Sequence, residues 1–274
     1  MKEFDFSGID EKAAIHKYEK LIVIIKRCVS ALAAFSGGVD SSFLAAAAKE
    51  ALGDNVTLAT AVSETFPKHE LETATAFAKK MKIRQIFVES SELDIKEFRA
   101  NPKNRCYYCK KELFKKFLEI AAQNNIKYVF SGANHDDIGD FRPGLSAQGE
   151  LGIISPLMDA GLTKMEIRFL SKKMGLDSWN RPQMACLTSR FPYGVEFTPE
   201  KFSAVESCED FLRELGLSQY RVRVHGELAR IEIEPDEFAI ALDKRKEIAQ
   251  EFKRNGFKFI TIDIEGFRTG SFND

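Results

Sequence analysis

Four short apolar runs recur through the first half of the chain: SALAAF (30–35), VTLATAV (56–62), RQIFVES (84–90) and KYVFSGA (127–133). Sequence of helical character surrounds and separates them. Residues 10–28 place Ile15, Leu21, Ile22 and Ile25 on one face, 40–52 are alanine-rich, and helices are expected near 67–82 and 107–124. Strands that read as continuous apolar runs are buried on both faces, and helical crossovers between them require parallel pairing. The expected fold class is therefore α/β, with a doubly wound parallel sheet.

Beyond 133 the pattern changes. Residues 134–160 are polar and glycine-rich without periodicity, and read as one long loop following a strand, where such sheets place ligands. A helix near 163–174 precedes a second irregular stretch, 177–198, which holds Pro182, Cys186, Pro192 and Gly194. A helix (199–215), a hairpin (220–234), a helix (235–254) and a strand (258–264) then describe a small C-terminal α+β domain. The division expected along the chain is 1–176, a connection at 177–194, and 195–274.

Composition narrows the function classes. With 44% hydrophobic residues in 274, a packed core is expected, and a net charge of −1 supplies no general attraction to nucleic acid or an anionic membrane. The longest apolar stretch, Leu21 to Phe35, is broken by Lys26 and Arg27 and is too short to span a bilayer. The opening MKEFDFSGID has no apolar signal core. Five cysteines in such a chain point to a reducing cytoplasm, where paired thiols more often bind metal or react than form structural disulfides.

The string Ser36-Gly37-Gly38-Val39-Asp40-Ser41 joins an apolar strand to a helix. Two glycines permit a sharp turn and bring backbone N–H groups close to an anion, at which the following helix aims its own unsatisfied N–H groups. Ser36, Ser41 and Ser42 add hydroxyls. Asp40 would repel a bare polyphosphate, so it implies a divalent cation or an orienting role. The lysine and spacing of a Walker A loop are absent. The string resembles the pyrophosphate loop of the adenine nucleotide alpha-hydrolase (PP-loop) families, which include GMP synthetase, NAD synthetase and tRNA thiolases. That resemblance implies ATP cleaved between its alpha and beta phosphates, with Mg2+, and a substrate oxygen adenylated. Gly132, Asn134, Asp136, Asp137 and Asp140 follow the fourth strand; their carboxylates would sit at a carboxyl end of the sheet, as a magnesium site or as a solvated acidic loop.

Cys106 and Cys109 form a C-x-x-C pair at a helix start, and Cys186 lies in MACLTSRFPYG. Three thiolates on a [4Fe–4S] cube leave one iron open to external sulfide. Structural zinc, a thioredoxin-like pair, or Cys186 alone as nucleophile or sulfur donor answer the spacing equally well. Cys28 and Cys208 read as small core residues.

The segments GANHDDIGDFRPG (132–144), ELGIISPLMDAGLTKMEIR (150–168), ACLTSRFPYG (185–194), RVRVHGELARIEIE (221–234) and EGFRTGSFN (265–273) resemble, in order, the LarE family of ATP-dependent sulfur transferases. The resemblance implies sulfuration of pyridinium-3,5-biscarboxylic acid mononucleotide for the nickel-pincer cofactor, each carboxylate being adenylated and then converted to a thiocarboxylate. One type in that family sacrifices the cysteine of A-C-x-x-S-R; the other adds a C-x-x-C pair and binds a [4Fe–4S] cluster. Cys106, Cys109 and Cys186 make this chain similar to the cluster type. The resemblance further implies a homo-oligomer, a sulfide donor and a small-molecule nucleotide as partners.

On a strand, Arg221, Arg223 and His225 share one face. By the same resemblance this face, with Ser189 and Arg190, would grip the substrate phosphate, and Glu209, Glu232 and Arg268 would line the pocket; an ordinary charged surface is the plainer reading. Two rivals remain. A tRNA thiolase would use the same loop and cysteines but is disfavoured by the lack of a basic surplus or RNA-binding appendage. A non-catalytic nucleotide or iron–sulfur sensor would bind ATP without releasing pyrophosphate.

Overall fold

The computed structural model describes residues 4–139, 143–182 and 185–268. They form two compact units, and the chain passes between them more than once. The first comprises residues up to Glu92 and those from Asn104 through the strap that ends at Pro182; the second comprises Leu93–Lys103 and residues from Ala185 onward.

The first unit holds β1 (Ala31–Ala34), β2 (Val56–Val62), β3 (Arg84–Glu89) and β4 (Tyr128–Phe130) in one sheet, ordered β3-β2-β1-β4 and parallel throughout. Helices pack on both sides of β1, but β3 at the sheet edge is largely exposed, Phe87 included, rather than buried as its apolar run suggests. Ala31 and Ala33 face the core shared with α1 (Glu11–Lys26) and α2 (Val39–Leu52), to which α3 (Lys68–Lys80) adds Ala74 and Ala78. Leu32 and Val129 turn the other way, onto Leu113, Phe114 and Phe117 of α5 (Arg105–Gln123). The alanine-rich character of α2 has a packing cause. Phe43, Leu44 and Ala45–Ala48 are all buried, so the helix is enclosed rather than amphipathic, and small side chains let its neighbours approach.

The stretch 134–160 is not the long irregular loop its composition suggests. It contains a 3₁₀ turn (His135–Asp137), α6 (Pro143–Glu150) and α7 (Pro156–Asp159). Proline begins both helices, where a missing N–H costs nothing. Helix α6 packs against α5, and Gly144 makes that possible: a Cβ there would lie 3.1 Å from Lys110 Cγ. Helix α8 (Lys164–Lys173) follows, with Thr163 and Glu166 forming a capping box.

The second unit carries β5 (Tyr220–His225), β6 (Leu228–Ile233) and β7 (Phe259–Ile262) in one sheet, with β5 antiparallel and β7 parallel to β6. The expected hairpin is present. Helix α9 (Pro199–Glu214) precedes it. The single helix expected at 235–254 is instead a 3₁₀ turn (Pro235–Glu237), α10 (Phe238–Asp243) and α11 (Arg245–Arg254). The break falls at Lys244, whose φ of −86° and ψ of 10° leave the helical region, so that α10 buries Ala241 while α11 buries Ile248 and Phe252. The segment Leu93–Lys103, including α4 (Lys96–Arg99), joins this unit through Phe98 packed on Phe197 (5.3 Å between rings), Asn101 Nδ2 donating to Pro192 O (2.7 Å) and Phe197 N donating to Arg99 O (2.9 Å).

Because α2 is enclosed, truncating its largest side chain leaves a void that the sheet cannot collapse to fill. Phe43→Ala is expected to destabilise the first unit by about 3–5 kcal/mol, measured by denaturant unfolding.

Candidate active site

The turn from β1 into α2 is built around Gly37, at φ +75°. A Cβ there would lie 3.1 Å from Ala74 Cα on α3, so both backbone angle and space demand glycine. Helix α2 starts from Gly38 with no side-chain cap. Around it, Ser36 and Ser41 hydroxyls are 3.2 Å apart, Ser41 Oγ donates to Gly38 O (3.2 Å), and Gly38 N reaches Ser36 Oγ only at 3.4 Å. The first N–H groups of the helix, from Val39, Asp40 and Ser41, therefore project from an uncapped end, a ready anion site.

Strand β4 ends beside this turn. A Cβ on Gly132 would sit 3.4 Å from Ser41 N, an ordinary contact distance, so the two segments are close neighbours. The acidic residues that follow are partly used for structure. Asp137 Oδ2 accepts from Asn134 N (2.9 Å), Asn134 Oδ1 accepts from Asp136 N (2.9 Å), and Asp136 Oδ2 accepts from Lys164 N (2.8 Å) at the start of α8. Asp140 lies outside the described residues. The carboxylates of Asp136 and Asp137 thus each anchor backbone through one oxygen, which weakens the reading of this turn as a cation cage; Asp40 is distinguished by an unpartnered oxygen that is buried. Its Oδ2 takes Lys164 Nζ at 2.6 Å, whereas Oδ1 is buried with no hydrogen-bond partner.

The second unit gathers charge in its interior. Arg190 forms a bidentate pair with Glu209 (2.9 and 2.8 Å), each almost fully buried. Glu209 also accepts from Val222 N (2.8 Å). Arg223 pairs with Glu232 (2.9 Å) and donates to Ser189 O (2.6 Å), and Glu232 takes Arg230 as well (2.9 Å). Arg221 donates to Tyr220 O (2.6 Å) and lies over the Phe267 ring (5.2 Å). Among the described residues, three guanidiniums, Arg190, Arg221 and Arg223, thus share a buried region with two carboxylates, Glu209 and Glu232. Burial, then repulsion from Arg190, pushes the Arg221 guanidinium down to about 10. Such a group gains when an anion arrives. Arg221 and Arg223 are buried while His225, on the same strand face, is exposed at its end. Ser189 Oγ accepts from Arg190 (2.9 Å). Arg268 sits at the edge of this network, paired with Glu265 (2.8 Å) and Asp263 (3.5 Å), the latter also reached by Arg230 (3.6 Å).

The five cysteines separate by environment. Cys28 and Cys208 are buried, and burial raises both thiols, Cys208 strongly. Cys106 and Cys186 are exposed and Cys109 half-buried. Cys106 and Cys109 occupy the first turns of α5, three residues apart and hence on neighbouring positions of one helical face. Cys109 Sγ lies 4.0 Å from Glu92 Oε1, and Thr188 Oγ1 donates to Cys186 Sγ at 3.3 Å. Among the described residues, no three His, Cys, Asp or Glu side chains are gathered as a metal site.

Residues 20–136 match the NAD synthase family, and this span contains the Gly37 turn and the fourth strand. An uncharacterised protein of Synechocystis is 40% identical over 259 residues, covering 94% of this chain and 97% of that protein. The pyridinium-3,5-bisthiocarboxylic acid mononucleotide synthase of Lactiplantibacillus plantarum is 34% identical over 259 residues, 94% of each chain. The chain belongs to the LarE family of PP-loop sulfur transferases. An uncharacterised protein of Methanocaldococcus jannaschii is 32% identical over 237 residues, 86% of this chain and 90% of that one. None of the described helices is long and apolar enough to cross a membrane.

In this LarE chain one residue that sequence reasoning passed over is Lys164. A lysine at the first position of a helix opposes the helix dipole, and that anomaly was the available signal. Here Asp40 compensates it, which places an ammonium beside the uncapped end of α2.

Glu209 yields a test of the buried charge. Burial alone would raise its carboxyl, but Arg190 first, with Arg221 and the Val222 N–H, holds it below the ordinary glutamate value. The folded state thus favours the carboxylate, and this stabilisation is present above the unfolded pKa and lost as pH falls through the folded one. Glu209→Gln should destabilise the protein by about 3–5 kcal/mol at neutral pH, since it strands a buried guanidinium, and should flatten the acid limb of stability against pH below the ordinary carboxylate range.

Proposed function

We propose that this chain uses ATP to activate a carboxylate of pyridinium-3,5-biscarboxylic acid mononucleotide and converts it to a thiocarboxylate. The observation that carries this reading is similarity over 94% of both chains to a relative named for that product. In the first step a carboxylate oxygen of the substrate attacks the α-phosphorus of ATP, the bond to the bridging oxygen breaks, and pyrophosphate departs. A carboxylate itself has no leaving group better than oxide; the acyl adenylate has AMP. In the second step sulfide sulfur adds to the acyl carbon and AMP leaves with the original carboxylate oxygen. A second round treats the other carboxylate.

The residues divide between these needs. Ser36, Gly37, Gly38, Val39 and Ser41 present N–H and hydroxyl groups to the departing pyrophosphate, a preorganised stabilisation of developing charge. Lys164 adds a cation there. Asp40, with its orphaned buried oxygen, suits a Mg2+ bound with ATP. Gly132, Asn134 and Asp136 hold the strand end and the start of α8 against this site. Arg221, Arg223, Ser189 and Arg190 receive the substrate phosphate, with Glu209 and Glu232 keeping the guanidiniums in place and Arg268 at the pocket edge.

For the sulfur, Cys106, Cys109 and Cys186 fit an iron–sulfur cluster by donor chemistry, being the thiols not buried in a core. When bound, a [4Fe–4S] cluster would supply sulfide repeatedly from an iron without a protein ligand. One observation favours a second reading, in which Cys186 itself surrenders its sulfur: Cys186 is exposed and the Thr188 hydroxyl, donating to its Sγ, holds the sulfur in one direction. Exposed thiols also fit a reducing cytoplasm, and a homo-oligomer follows from the family resemblance.

Anaerobic protein, assayed for iron and for sulfur transfer together, separates the two sources. With a cluster, Cys106→Ala, Cys109→Ala and Cys186→Ala each lower iron content and sulfur transfer while AMP formation persists. With a sacrificed cysteine, only Cys186→Ala matters, and the spent chain is lighter by the mass of a hydrogen sulfide molecule. Full activity of the Cys106→Ala/Cys109→Ala double variant would remove the cluster from the reaction.

A further inference from the structure

We infer that Arg181 is a positioning residue for the pyrophosphate loop: it fixes the peptide between Gly37 and Gly38 so that the amide, not the carbonyl, faces the polyphosphate. This rests on the reading of that loop as the ATP site.

The peptide in question lies between two residues without a Cβ, so no side chain of its own resists rotation of the peptide plane. A flip would turn the Gly37 carbonyl toward the anion and Gly38 N–H away, exchanging an attraction for a repulsion. The hydroxyl of Ser36 restrains the amide only at 3.4 Å. The carbonyl, by contrast, is held from a distant part of the sequence: Arg181 Nη1 donates to Gly37 O at 2.9 Å, a charge-assisted hydrogen bond across 144 positions of chain.

Arg181 is itself anchored. Arg168 on α8, buried, donates through Nη1 to Trp179 O (2.6 Å) and through Nη2 to Arg181 O (2.9 Å), clamping the strap 179–181 from beneath. The Phe4 ring covers the Arg168 guanidinium at 4.1 Å, and Phe6 packs near Trp179 with ring centres 6.1 Å apart. Helix α8 therefore reaches the loop twice, directly through Lys164 on Asp40 and indirectly through Arg168, the strap and Arg181. Burial pushes the Arg181 guanidinium below its ordinary value, against the opposing pull of Glu70 and Asp177. Desolvation of this kind is tolerated where the cation has a fixed task.

The strap contains the only tryptophan of the chain, two positions from Arg181, so occupancy of the loop has a built-in optical reporter. The test titrates the full chain with magnesium pyrophosphate and with magnesium ATP, following Trp179 fluorescence and, in parallel, binding by calorimetry. Wild type should bind both and show a saturable fluorescence change. Arg181→Gln should weaken both ligands by about tenfold to a hundredfold, the worth of one charge-assisted hydrogen bond, and lose the fluorescence response. Arg181→Lys, able to donate to the same carbonyl, should recover most of the affinity and the response; a purely structural defect would instead appear as an equal fall in melting temperature in both variants. Wild-type binding with Arg181→Gln and Arg181→Lys both within twofold of it overturns the role of Arg181 while leaving the ATP site standing. Absence of any pyrophosphate or ATP binding by wild type overturns both.

Discussion

A helix that begins without a side-chain cap leaves its first N–H groups free to take an anion, water or a turn bond. Helix α2 begins in this way at Gly38, at the end of the central strand β1 and beneath a turn that only glycine can make. Much of the first unit is arranged about that fact. Alanine lines α2 so that the helix can lie deep against the sheet, β4 ends with Gly132 close beside it, and α8 is capped and oriented so that its first residue, a lysine, meets Asp40. Electrostatics and packing point to one place.

The second unit uses a different device. Beside its apolar core it buries Arg190, Arg221 and Arg223; Arg190 is paired with Glu209 and Arg223 with Glu232. A buried ion pair contributes little net stability because desolvation offsets attraction. Its use here lies in geometry; on the proposed reading, the arginines it holds in place receive a phosphate. The alternation of sign continues outward through Arg230, Asp263 and Arg268, so the inner arginines are held by a chain of charges rather than by single contacts.

The inner strands were legible because burial leaves an unbroken apolar run, and β2 spans the residues expected, 56–62; β3, an exposed edge strand, reads as apolar without being buried. The SGGVDS turn was legible because paired glycines between an apolar strand and a helix allow a sharp turn, which Gly37 makes at φ +75°. Two features were not. Helix α6 has no apolar stripe, since Gly144, Ala147 and Gln148 are what it buries, and close packing through glycine leaves no periodic signal. The break at Lys244 is likewise silent, because nothing in KRKE forbids a continuous helix. At the site, residue types in 221–234 revealed charge but not its burial. The contacts of Lys164 and Arg181 join positions more than 100 residues apart and exist only in the fold.

On the proposed reading, the uncapped end of α2 takes pyrophosphate from ATP as a carboxylate is activated for sulfur. The most direct measurement incubates anaerobic protein with magnesium ATP, sulfide and pyridinium-3,5-biscarboxylic acid mononucleotide, and follows nucleotide products and substrate mass together. AMP and pyrophosphate are expected, formed only when the carboxylate is present, along with a product in which oxygen has been replaced by sulfur. Formation of ADP and phosphate, or AMP released without any dependence on the carboxylate, would contradict it.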